Sequence, residues 1–89
     1  MCQTIYAGID IGKTYHELTL LDAQGNILLT NFTFPNSHQG LNQLLERVNR
    51  FPYRQIFFGL EATGHYWLAL CYHLTTKGYQ VTVINPLKI

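Results

Sequence analysis

Apolar and polar positions change period several times along the chain, and each change marks an element. Residues 4–10 (TIYAGID) are apolar on both alternating sets, which predicts a central strand buried on both faces. Residues 14–22 (TYHELTLLD) alternate, with His16, Leu18 and Leu20 on one face and Tyr15, Glu17 and Thr19 on the other. Gly25 and Asn26 then suit a turn with positive φ, and residues 27–34 (ILLTNFTF) predict a third strand. These three strands form an antiparallel meander. Pro35 breaks the third strand, and Asn36 or Ser37 is placed to cap a helix. Leu41, Leu44, Leu45, Val48 and Phe51 follow at helical spacing until Pro52. Residues 55–60 (QIFFGL) predict a fourth strand. Thr63 is placed to cap a second helix running to about residue 77, with Trp67, Leu70, Cys71 and Leu74 as its apolar stripe. Gly78 is its expected C-terminal cap, and residues 79–84 (YQVTVI) predict a fifth strand ended by Asn85-Pro86.

The resulting order is β-β-β-α-β-α-β, an α/β chain. Right-handed crossovers place the fourth strand beside the first and the fifth beyond it. The predicted sheet order is 3-2-1-4-5, with strand 2 antiparallel to the rest. Strands 1 and 4 are then parallel neighbours roughly 4.8 Å apart. Their carboxyl ends lie together, where open α/β sheets place ligands.

Each of those two ends carries an acid in a glycine-rich turn. Asp10 sits in GIDIGKT and Glu61 in FFGLEATGHYW. Two carboxylates this close repel unless one is protonated or a cation lies between them. An all-oxygen donor set favours Mg²⁺ or Mn²⁺ over zinc. Two such ions about 4 Å apart suit phosphodiester chemistry. Taken singly, Asp10 also reads as a turn-former and Glu61 as a cap near a helix start. In the Gly12-Lys13-Thr14 turn, Thr14 and the backbone amides are placed to face a phosphate, although a plain hairpin turn explains the same residues. Lys13 reads as a solvated cation or a phosphate contact. His65 and Tyr66 are candidates to touch nucleic acid or to assist at the site, whereas Trp67 reads as packing. His16 and His73 read as ordinary surface or half-buried histidines. No Ser-His-Asp, Cys-His or zinc arrangement can be assembled.

Composition narrows the class further. With 89 residues, 47% hydrophobic and 12% charged, the chain is one small globular domain rather than a disordered segment. So few charges also point to apolar surface meant for a partner. A net charge of +1 neither supports nor excludes nucleic acid. Arg47, Arg50 and Arg54 form the one basic group, read as a solvated helix end. Cys2 and Cys71 match no metal spacing and read as free thiols of a reducing cytosol. The N-terminal MCQTIYAG lacks a signal-peptide pattern, and apolar runs such as WLALCY fall well short of the roughly 18 residues of a membrane span. The expectation is a soluble, cytoplasmic protein without a membrane partner.

Four segments together resemble a known family: GIDIGKTYHELTLLD at 8–22, NSHQGLNQLL at 36–45, GLEATGHYW at 59–67 and VINP at 83–86. The chain is similar over essentially its whole length to the N-terminal RuvC-like domain of the DEDD transposases, the Piv/MooV group or insertion-sequence-110 family. GIDIGKT alone is shared with sugar kinases and actin-like ATPases, whereas GLEATGHYW followed by INP is much more specific. The resemblance implies an RNase H-like fold and a metal-binding acidic tetrad, Asp-Glu-Asp-Asp. Asp10 matches its first member and Glu61 its second. The other two belong to a segment resembling K-T-D-x-x-D-A that the resemblance puts past Ile89, so residues 1–89 read as a domain incomplete at its C-terminus. Half a tetrad is expected to bind metal weakly and not to cleave DNA. The final helix of the fold, normally covering one sheet face, would leave apolar surface behind, and dimerisation or element swapping is the expected consequence. The implied function is movement of an insertion sequence by metal-dependent DNA strand cleavage and joining. The implied partners are DNA and a structured noncoding RNA of the element, and the uncovered apolar surface adds further copies of the chain. Two other readings stay open. One is an actin- or sugar-kinase-like half-domain using Asp10 and the Gly12-Lys13-Thr14 turn for ATP and Mg²⁺. The other is a non-catalytic interaction module on the same fold.

Overall fold

In the computed structural model, which describes residues 3–61 and 64–84, the predicted element order is realised. The elements are β1 (Thr4–Asp10), β2 (Tyr15–Asp22), β3 (Ile27–Pro35), α1 (His38–Val48), β4 (Gln55–Glu61), α2 (Leu68–Thr76) and β5 (Gln80–Ile84). The strands form one sheet in the order β3-β2-β1-β4-β5. β2 runs antiparallel to β1 and β3, and β4 runs parallel to β1 and β5. This is the mixed sheet expected from the crossovers, and it agrees with the RNase H-like fold that the resemblance implies. Among the described residues no helix is long and apolar enough to cross a membrane.

Alternation along the strands buries one face. Ile5, Ala7 and Ile9 of β1, Leu18 and Leu20 of β2, Phe34 of β3, and Ile56, Phe58 and Leu60 of β4 form a single cluster. Leu41, Leu44 and Val48 of α1 and Leu70 and Leu74 of α2 join it, so both helices cover the same side of the sheet. The expectation for β1 is therefore half corrected. It is central, yet only one of its faces is buried; Tyr6, Gly8 and Asp10 point to the open side, with Tyr6 46% exposed. Apolar side chains on both alternating sets do not require two covered faces within the described residues.

The alternation fails in β3, where register slips twice against β2, between Leu18 and Leu20 and between Leu20 and Leu21. Asn31 adopts φ 61°, a left-handed conformation that asparagine tolerates better than most residues. The extra residue puts Leu29, Phe32 and Phe34 on the core side together, a set that strict period two cannot select.

Helix ends follow their caps. Ser37 Oγ accepts the Gly40 N–H at 3.1 Å, the side-chain cap expected of it. α1 stops at Val48, before the predicted Phe51; Pro52 has no N–H for the Val48 carbonyl, which accepts the Phe51 N–H at 3.1 Å in a tighter turn instead. Phe51 still packs against the core, with the Arg47 guanidinium 5.9 Å above its ring. At the end of α2, Gly78 at φ 90° donates to Thr75 O and Tyr79 N–H to Leu74 O, both at 3.0 Å, a Schellman closure. The start of α2 departs from expectation. Gly64 has φ 62°, so a continuous helix cannot run through it, and residues 64–67 form turns instead. Trp67 is half-buried and donates its indole N–H to Gly64 O at 3.0 Å rather than joining the core cluster. The proposed Thr63 cap, the Asn85-Pro86 stop and Cys2 lie outside the described residues; Cys71 is a free, half-buried thiol.

Gly40 lies where α1 leaves β3, and a Cβ there would overlap the Pro35 carbonyl oxygen. Helix propensity alone would make Gly40→Ala stabilising by about 1 kcal/mol. Because the obstacle is backbone, the expected outcome is instead a loss of about 2 kcal/mol, read from urea denaturation.

Candidate metal and phosphate site on the open sheet face

The register lays out the open face in rows across the strands. Leu21, Tyr6, Phe57 and Gln80 form one row; the Tyr6 and Phe57 rings stack with centroids 5.7 Å apart. The next row is Thr19, Gly8, Gly59 and Thr82, with almost no side-chain bulk. Two residues further along come Glu17 and Asp10, which are direct cross-strand partners, then Glu61 paired with Ile84. The ladder between β1 and β4 pairs Ile9 with Leu60, so Asp10 and Glu61 are the next residues in that parallel register.

These rows enclose an open depression of about 410 Å³ lined by Gly8, Ile9, Asp10, Glu17, Thr19, Gly59, Glu61 and Ile84. The two acids singled out in the sequence are therefore brought together, and a third joins them. Glu17 was placed on the correct face of its strand by alternation, but its pairing with Asp10 was not inferred. Knowing how the chain turns through residues 11–14 would have supplied that signal. All three carboxylates are exposed, and among the described residues no Lys or Arg pairs with them. No group of three or more His, Cys, Asp or Glu converges to metal-ligating geometry among the described residues.

The other candidates lie apart from the depression. Lys13 and Thr14 are exposed in the turn after β1, and their carbonyl oxygens accept from Asn36, Lys13 O from Nδ2 at 3.3 Å and Thr14 O from the backbone N–H at 2.8 Å. His65 and Tyr66 are exposed in the turns before α2, rings 5.2 Å apart. None of these four lines the depression as described.

His16 overturns its expectation as a surface or half-buried residue. It is 2% exposed, set edge-on to Phe34 with ring centroids 5.4 Å apart. The Gly12 N–H donates to its Nδ1 at 3.2 Å, which fixes Nδ1 as acceptor and leaves the proton of the neutral ring on Nε2. Nε2 has no hydrogen-bond partner among the described residues. Leaving such a buried group unpaired costs about 1–3 kcal/mol. Burial lowers the His16 pKa from its ordinary value, with a smaller opposing effect from the Asn36 side chain. The turn itself is tight, since a Cβ on Gly12 would overlap the Tyr15 carbonyl oxygen.

Comparison with known proteins adds a family. The model of the DEDD transposases of the insertion-sequence-110 type, described as a transposase, matches residues 7–89. No curated protein matches the chain. Among solved structures, the type II variant of the Aquifex aeolicus Ppx/GppA phosphatase is similar at TM-score 0.53 and 16% identity, covering 93% of this chain and 36% of that one. Another structure of the Aquifex aeolicus Ppx/GppA family member gives TM-score 0.53 and 14% identity, with 94% and 36% covered. The chain thus spans about a third of the length of these structures, and at such identity the likeness is one of fold.

Two outcomes follow from this geometry. A histidine held neutral in the folded state binds fewer protons than in the unfolded chain, so stability should fall as pH drops below about 6.5; His16→Asn should flatten that slope in denaturation curves taken from pH 8 to 5. At Gly59 a Cβ would meet nothing within 4 Å. Valine, a better strand former, should therefore hold or raise the melting temperature, by up to about 1 kcal/mol of stability, while narrowing the depression.

Proposed function

The chain belongs to the DEDD transposase family of the insertion-sequence-110 type, and on that premise we propose that Asp10 and Glu61 hold a divalent cation for DNA strand cleavage and joining. The observation that carries this reading is that both acids end adjacent parallel strands and line one depression on the open face. Hard carboxylate oxygens without a cationic partner among the described residues suit Mg²⁺ or Mn²⁺. Mg²⁺ in phosphoryl-transfer sites is commonly held by one or two carboxylates, with water and substrate phosphate completing its shell. An ion held by these two residues would supply polarisation of a phosphodiester oxygen and activation of the attacking hydroxyl.

The residues of the chain supply the rest. Asp10 and Glu61 set the position of the cation. Glu17 adds negative charge at the rim, which repels a phosphate unless the cation is present. The bare Gly8 and Gly59 row leaves room for a close approach of substrate backbone. Lys13 and Thr14 on one side and His65 and Tyr66 on the other stand outside the depression, as candidate contacts for flanking phosphates and bases. The same resemblance brings a structured noncoding RNA of the element as a proposed partner; a homo-oligomeric assembly and a cytoplasmic location are proposed alongside it.

A second reading is favoured by the fold shared with the Ppx/GppA structures. In it, Asp10 and the Gly12-Lys13-Thr14 turn serve ATP and Mg²⁺. The inward direction of the Gly12 N–H weighs against it, because that amide is already donated to His16 and is withdrawn from any phosphate.

Asp10→Asn and Glu61→Gln separate the readings. Each is expected to weaken Mn²⁺ binding, and Mn²⁺-dependent binding of branched DNA, by about 10-fold or more, in line with roughly 1.4 kcal/mol per decade. Both are read by titration in the presence and absence of ATP. Saturable ATP binding lost on Asp10→Asn, with no response to DNA, would move the assignment to the second reading. Unchanged Mn²⁺ affinity in both variants would remove the site.

A further inference from the structure

Among the described residues His16 is the one buried polar side chain in an otherwise apolar core. Leucine would fill that place without a buried ring nitrogen to satisfy. What leucine cannot do is accept the Gly12 N–H, which reaches His16 Nδ1 at 3.2 Å. Gly12 lies two residues past Asp10, in a turn with no room for a Cβ. From the other side Asn36 donates to the Lys13 and Thr14 carbonyls, so both ends of the turn are tied to the body of the protein. The turn is thus held from within by side chains that do not line the depression themselves.

We propose that His16 is a positioning residue for Asp10. By accepting the Gly12 N–H it fixes how the chain leaves β1, and so where the Asp10 carboxylate stands relative to Glu61. This rests on the reading of the two acids as cation ligands. Ligands that must meet one ion need placing to within about 0.5 Å; the Asp10 backbone is paired with Glu17 in the ladder, but its carboxylate accepts no hydrogen bond among those described, so its place depends on how the chain continues past the strand.

Mn²⁺ titration followed by broadening of backbone amide signals tests this, with amide exchange of Gly12 measured in the cation-free chain. His16→Leu should stay folded with a melting temperature close to the parent's, exchange its Gly12 amide faster and bind Mn²⁺ about 10-fold more weakly. His16→Asn puts an acceptor oxygen near the place of Nδ1 and should restore both readouts. His16→Gln, whose oxygen reaches the place of Nε2, should not. Should His16→Leu fail to fold, the contrast between the Asn and Gln variants decides. Equal Mn²⁺ affinity in those two, or parental affinity in a folded His16→Leu, would overturn the positioning role alone, provided Asp10→Asn loses binding. If Asp10→Asn binds Mn²⁺ like the parent, the cation site fails and the positioning role fails with it.

Discussion

The parallel ladder between β1 and β4 is the constraint on which the rest depends. These strands are far apart in sequence, and only a crossover through β2, β3 and α1 makes them neighbours. Once Tyr6 pairs with Phe57 and Gly8 with Gly59, Asp10 and Glu61 are brought to the same end of neighbouring strands. A one-residue slip would turn every side chain of β4 over, sending Glu61 into the core and Leu60 into the depression. The buried Ile56, Phe58 and Leu60 prevent that slip, because burying a carboxylate in their place without a partner is far more costly than any gain in pairing. Core packing on one face thus fixes the chemistry on the other.

Much of this was legible because the relevant periods are strong. Strand alternation in β2 put His16, Leu18 and Leu20 together, and two right-handed crossovers sufficed to order the sheet. The failures share a physical cause: single residues whose backbone state overrides the period. Asn31 at φ 61° shifts β3 by one residue, and Gly64 at φ 62° delays α2 past the residues assigned to its first turn. Neither conformation can be read from side-chain polarity. The burial of His16 was hidden differently, since alternation gave its face correctly but an imidazole on an apolar face suggests exposure. Its partner is a backbone N–H, which leaves no signature in composition. Glu17 was missed because cross-strand register depends on the shape of the turn at residues 11–14, which that same hidden bond helps to set.

The two faces of the sheet are built on opposite principles. On the helix side, large aliphatic and aromatic groups fill the space. On the open side, the middle row is Thr19, Gly8, Gly59 and Thr82, flanked by an aromatic pair and by acids. Glycine within a strand weakens it, and at Gly59 no neighbouring atom forbids a larger residue. A stable small domain would place valine there. The sequence gives up stability on this face in the same way that it does at His16, where a buried nitrogen has no partner among the described residues.

These concessions cluster around the ends of β1 and β4. His16, whose Nε2 has no partner among the described residues, holds the turn that follows Asp10 through the tight Gly12, and Gly8 and Gly59 stand two residues before the acids. Exposed carboxylates as close as neighbouring strands add mutual repulsion to the same place. Features that each destabilise a fold, scattered at random, would be accidents of drift. Gathered at the ends of β1 and β4, they suit the proposed cation site, with the turn after Asp10 held from the core and two glycines beside the acids. That grouping follows from backbone register, burial and one hydrogen bond.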